Sequence, residues 1–192
     1  MSEIYGLVLA GGKSIRMGTD KSKLVYHELP HEQHLFNLLS ELLPNTYLST
    51  SSEEGNFTEK TIIDQYDVSA PIVGLISAMR TFPDVAWLVL ACDLPMITDS
   101  SIKNLIEQRD PEAIATVFEG SAGKLEPLAG IWEPAALPLL THGFDHKEYS
   151  LQSILSRVKV KSITLNNPNE LFNANDNKDF NQARNLIRQN KS

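Results

Sequence analysis

The chain has 192 residues, 42% hydrophobic and 21% charged, a composition that suits one globular domain with a substantial core. Its net charge of −7 excludes the broad basic face that a phosphate-backbone partner demands, so no nucleic-acid role is expected. A lone cysteine, Cys92, excludes an intramolecular disulfide. No apolar run reaches transmembrane length and no secretory pattern opens the chain, so a cytoplasmic protein away from membranes is expected.

In chain order, the first element is an apolar run, Leu7-Val8-Leu9-Ala10, the composition of a strand buried on both faces of a parallel sheet. It breaks at Gly11-Gly12, where the missing Cβ atoms let backbone come close to a ligand. The segment that follows carries Lys13, Arg16, Lys21 and Lys23 against one acid, Asp20. On an acidic protein such a loop suits a small, dense anion. Neither the P-loop nor the dinucleotide-binding glycine pattern is present, and from the residues alone an ordinary surface turn fits as well.

Glu32 to Leu43 places Leu35, Leu38, Leu39 and Leu42 at helical spacing, and Pro44 closes the helix. Tyr47-Leu48 and Ile62-Ile63 read as short strands with a polar loop, Ser51 to Glu59, between them. Pro71 to Thr81 reads as a loop entering a short helix, with Ile72, Leu75, Ile76 and Met79 inward. Ala86 to Ala91 is another fully apolar strand, and Thr98-Asp99-Ser100 forms an N-cap region for a helix through Ile102, Leu105 and Ile106. A last helix covers Lys178 to Arg188, with Asp176 at its favourable acidic end. His27, His31 and His34 lack an acid or cysteine at ligand spacing, and His142 and His146 fall in a polar loop, so all five read as structural or solvent-facing.

This alternation predicts an α/β fold, a single Rossmann-like domain over residues 1–192 with a mostly parallel doubly wound sheet flanked by helices. Ligands of such sheets gather at the carboxyl ends of the strands. Asp93 stands there, just past the run Trp87 to Cys92. A carboxylate so placed suits Mg²⁺, though by itself it also fits a turn before Pro95.

Leu9-Ala10-Gly11-Gly12-Lys13-Ser14-Ile15-Arg16-Met17-Gly18, followed by Asp20-Lys21, resembles the L-A-G-G-x-S-x-R-M-G-x-D-K signature of the molybdenum cofactor guanylyltransferase (MobA) family. Cys92-Asp93-Leu94-Pro95 is similar to its C-D-x-P motif, whose aspartate is the metal ligand. Ile63-Asp64 and Pro71-Ile72-Val73-Gly74-Leu75 resemble the segments around the nucleotide base, with Ala70 where a glycine is usual. The resemblance gives Asp64 the base edge or the ribose hydroxyls, a carboxylate's natural acceptor role, beside the plainer reading of a solvated strand-end acid. Gly74 reads as a close-packing position. Glu126-Pro127-Leu128 with Trp132 is similar to E-P-L-x-x-x-Y near the pterin pocket, and Lys124 lies in the loop before it. Leu171-Phe172-Asn173-Ala174-Asn175 resembles the family's C-terminal segment, in which the second asparagine, here Asn175, lies at the metal. Two departures stand out: Asp176-Asn177 replaces Thr-Pro, and the asparagine after the second strand falls in the Ser49-Thr50-Ser51 run.

The resemblance runs from Ile4 to about Leu186 and implies transfer of GMP from GTP to the terminal phosphate of molybdopterin, with or without molybdenum, releasing pyrophosphate. It implies Mg²⁺ as cofactor, held by Asp93 with Asn175. It assigns Leu9, Ala10, Gly11, Gly12, Ser14, Lys21, Asp64 and Asp93 to the nucleotide, Arg16 and Lys21 to the developing charge, and Lys124 and Glu126 to the acceptor. Molybdoenzyme apoproteins or their chaperones are the protein partners it suggests. An acceptor phosphate with a second pKa of about 6 needs no general base, so the lack of a base histidine is no obstacle. The Ala10-Gly11-Gly12 series favours guanylyl over cytidylyl transfer. A nucleotidyltransferase with another acceptor and a non-catalytic nucleotide-binding module are the alternatives.

Overall fold

In the computed structural model, which describes residues 2–10, 21–50, 60–120 and 123–189, the chain opens with strand β1 (Ile4–Leu9), whose last four residues are buried. Helix α1 (His31–Leu42) and strands β2 (Thr46–Thr50) and β3 (Thr61–Ile63) follow. Then come α2 (Pro71–Thr81), β4 (Ala86–Ala91) and α3 (Asp99–Glu107). The second half supplies β5 (Ala115–Glu119), β6 (Leu125–Trp132), α4 (Ala136–Asp145), α5 (Leu151–Leu155), β7 (Val160–Thr164) and α6 (Asn177–Gln189).

The strands form one seven-stranded sheet in the order β3-β2-β1-β4-β6-β5-β7. Only β6 runs against its neighbours; it pairs antiparallel with both β4 and β5, while the remaining pairs are parallel. The expected mostly parallel, doubly wound sheet is therefore present. Strand period 2 divides the core in two: Leu7, Leu9, Trp87 and Val89 pack under α2, α4 and α5, whereas Val8, Leu88 and Leu90 pack under α1 and α3. All six residues of β4 are buried, as its unbroken apolar composition requires of a central strand.

Two expectations need correction. Pro71 does not belong to the loop before α2: the helix begins at Pro71 itself, where the missing N–H and fixed φ suit a first helical turn. His142 and His146 are not in a polar loop; the first lies in α4 and the second caps its C-terminus. Trp132, grouped by resemblance with the acceptor pocket, is fully buried in the core, and its Nε1–H donates to Pro127 O at 3.0 Å. Thr98 caps α3 as expected, its hydroxyl accepting from Ser101 N at 3.3 Å. Among the described residues no helix is long and apolar enough to cross a membrane.

Candidate functional site

Parallel strands carry the exits of β1, β2, β3 and β4 to one edge of the sheet, and the antiparallel β6 begins at that edge because Leu90 pairs with Ala129 and Trp87 with Trp132. Ala10, Asp64, Asp93 and Glu126 therefore lie along the same rim. From the exit of β3 to that of β4 is three strand spacings, about 14 Å, room for a small ligand laid across the strand ends. Gly11, Gly12, Ser14 and Arg16 lie outside the described residues. Lys21, the first described residue after that segment, opens a three-residue 3-10 helix, Lys21–Lys23. At the start of the same connection Ala10 N–H donates to Ser49 O at 3.0 Å, so β1 ends held against β2.

The two residues expected at a metal are 82 positions apart, and one backbone bond joins their loops: Ala174 N–H donates to Asp93 O at 2.8 Å. Asp93 is half-buried with Oδ1 shielded from solvent. The Asn175 loop is fixed from its far side by α6. Asp176 Oδ1 accepts from Lys178 N at 2.8 Å and Asp179 N at 2.9 Å, while Asp179 Oδ2 accepts from Asn175 N at 2.9 Å and Asp176 N at 3.3 Å. This reciprocal arrangement is a capping box made of two aspartates. Asp176 thus caps α6, the role its position in the sequence predicts. Tyr26, Met96, Ala174, Ala183 and Ile187 form a small core under this loop. Burial pushes the Tyr26 phenol up to about 12, with the Asp93 and Asp179 carboxylates and Cys92 adding to the effect.

Asp64 leaves β3 half-buried, and its carboxyl is held above the usual carboxylate range by burial, opposed by the Ser49 hydroxyl, which donates to Oδ1 at 2.6 Å. Ser49 itself is buried within β2. The hydroxyl that stands near the family's asparagine position is thus already engaged with Asp64. Gly74 fulfils its packing role: a Cβ there would lie 2.5 Å from Ser49 Oγ and 2.7 Å from Leu9 Cδ2. Glu126 is not an exposed acid. Its Oε2 accepts from Asn173 Nδ2 at 3.3 Å, tying β6 to the Asn175 loop. Lys124 is exposed at the end of the β5–β6 hairpin, which Gly120 N–H closes on Lys124 O at 2.8 Å.

The structure thus gathers Asp93, Asn175 and, through Asn173, Glu126, with Asp64 farther along the rim. Sequence reasoning missed Asn173, Asp179 and Tyr26. Only Asp179 left a signal, an acid three residues after the cap Asp176.

Comparison with known proteins places a MobA-like NTP transferase domain over residues 6–162. A molybdenum cofactor biosynthesis bifunctional protein of Synechocystis is 34% identical over 184 residues; the match covers 93% of this chain, which spans about half (53%) of that relative. A molybdenum cofactor guanylyltransferase of Campylobacter jejuni is 24% identical over 177 residues, covering 91% of this chain and 92% of its own. The crystal structure of molybdopterin-guanine dinucleotide biosynthesis protein A from Archaeoglobus fulgidus shares the fold with a TM-score of 0.79, at 18% identity, over 96% of this chain and 99% of that one.

Proposed function

The chain belongs to the MobA-like NTP transferase domain family, and from that premise we propose that it is one nucleotidyltransferase domain that moves GMP from GTP to the terminal phosphate of molybdopterin, releasing pyrophosphate, with Mg²⁺ as its metal. The observation that carries this reading is the 2.8 Å bond from Ala174 N–H to Asp93 O, which joins the two loops whose side chains the proposed reaction would use. The relatives named as guanylyltransferases support the choice of base and acceptor.

The donor set fits a hard cation. Asp93 offers carboxylate oxygens and Asn175 an amide oxygen. Mg²⁺ is commonly held in this way, by one or two carboxylates and by substrate phosphates. When bound, it would neutralise the charge of the two reacting anions.

The protein's own residues have the remaining tasks, which are positioning and charge balance, since phosphoryl-type transfer leaves little covalent work to a protein. Leu9, Ala10, Gly11, Gly12 and Ser14 would cradle the triphosphate with backbone N–H groups and a hydroxyl. Arg16 and Lys21 would meet the charge that grows on the α-phosphate and the leaving pyrophosphate. Asp64 would accept from the base or ribose. Lys124 and Glu126 would meet the acceptor, Glu126 acting through its contact with Asn173. The acceptor phosphate is its own nucleophile.

Pyrophosphate release with Mg²⁺, molybdopterin and either GTP or CTP, each against a control without pterin, tests the proposal. Release that requires both GTP and pterin is the expected result. A preference for CTP overturns the base, release without pterin overturns the acceptor, and binding of GTP with no release overturns catalysis.

A further inference from the structure

Asp64 leaves a strand of only three residues at the edge of the sheet, a place where a carboxylate would ordinarily sample several rotamers. Here it is clamped from two elements. Its N–H donates to Thr50 O at 3.0 Å, extending the β2–β3 ladder one residue past the strand. From β2, the Ser49 hydroxyl donates to Oδ1 at 2.6 Å. From α2, Ser77 Oγ accepts from the next backbone N–H, that of Gln65, at 2.9 Å while its own proton goes to Val73 O at 2.8 Å. Both serines are buried. The bare Cα of Gly74 lets α2 press directly on Ser49, leaving space for a hydroxyl and little more.

We infer that Ser49 is a positioning residue of the nucleotide subsite, whose buried hydroxyl fixes the rotamer of Asp64 and commits Oδ1 to the protein so that the ligand is met by the other oxygen. The inference rests on the proposed nucleotide site and deepens it: a contact expected from an asparagine side chain is replaced by a serine that acts through an acid. A hydroxyl donor also favours the ionised carboxylate, against the burial that favours the neutral one. Of the elements packed against Asp64, β2 and β3 carry no acid, histidine or cation, and α2 carries only Arg80, which lies over the Tyr66 ring. Asp67, three residues on, is exposed. Burial is the larger influence on the charge of Asp64, and the Ser49 bond is the polar contact from these elements that opposes it.

The test compares wild type, Ser49→Ala, Asp64→Asn and the double variant by calorimetric GTP binding with Mg²⁺ between pH 5 and pH 8, alongside circular dichroism melts. Ser49→Ala removes one oxygen and adds no volume. It should weaken GTP binding about tenfold, the scale of a hydrogen bond to a charged group, and move the acid-side loss of binding to higher pH. In the Asp64→Asn background the same change should have no further effect. Equal affinity and an unmoved pH profile for folded Ser49→Ala overturn the inference, as does a full Ser49→Ala effect in the Asp64→Asn background. Wild type that binds no GTP overturns the nucleotide site itself, a separate failure.

Discussion

His31 should make the protein acid-labile. It is the first residue of α1 and fully buried, and its ring meets Tyr26 edge-on with centroids 5.0 Å apart. Among the described residues neither ring nitrogen has a partner within good hydrogen-bond geometry. Burial, with the His34 and His27 imidazoles adding to it, lowers the His31 pKa from 6.5 to about 3, and the nearby Leu94 backbone offsets little of this. The positive end of a helix also disfavours an imidazolium at this position. A folded pKa below the unfolded one means the unfolded chain binds the extra proton, so the stability due to neutral His31 is whole above pH 6.5 and is lost as pH falls toward 3. Between pH 7 and pH 5 that loss is roughly 2 kcal/mol, at 1.36 kcal/mol per pH unit once the unfolded histidine is titrated. Urea denaturation of wild type and His31→Leu at both pH values isolates it, because acid-linked effects of other groups are common to the two. The variant should be as stable as wild type or more so at pH 7, since it buries no unpaired nitrogen, and should lose about 2 kcal/mol less on acidification. Equal losses in both proteins would refute the reasoning.

Two further outcomes follow from the site. Asp93→Ala should lower pyrophosphate release by at least about 10²-fold, while its melt stays close to wild type because the main-chain carbonyl that receives Ala174 N–H survives; near-normal release would remove Asp93 from the metal. Gly74→Ala should cost about 1–3 kcal/mol in a urea titration, the scale of overpacking, because the new methyl must displace Ser49 Oγ and Leu9 Cδ2. That variant should also weaken GTP binding through Asp64.

The residues that announced themselves were those whose local pattern agrees with their tertiary role. Leu35 and Leu39 are buried on the face that their spacing predicts, and the apolar run of β4 is the buried centre of the sheet. Pro71 is ambiguous in the sequence, because a proline suits both a helix start and a turn. The second half was harder. In β6, Pro127 and Gly130 hide an eight-residue strand, and β5 beside it shifts register between Val117 and Phe118. Gly130 is there because Val117 leaves no room for a side chain: an added Cβ would stand 2.5 Å from Val117 Cγ1. That is a fact of the neighbouring strand, invisible in the segment itself. In α4, Gly143 and His142, with His146 at the C-cap, disguise a helix whose Leu140 lies in the core.

The site shows the same division more sharply. The Asp176–Asp179 capping box is local and readable from spacing, yet its consequence is not, because the loop it stiffens matters only through the bond from Ala174 to Asp93. The apolar counterpart is the small core of Tyr26, Met96, Ala174, Ala183 and Ile187. It draws on the segment after the cationic loop, the segment after Asp93, the Asn175 loop and α6, four stretches that share no pattern. Burying them together keeps three of the site's loops in register without using either main core of the sheet. The positions of the proposed site residues therefore depend on a few side chains that carry no chemistry of their own, which is why chemical residue types in the sequence suggest candidate participants but not what holds them in place.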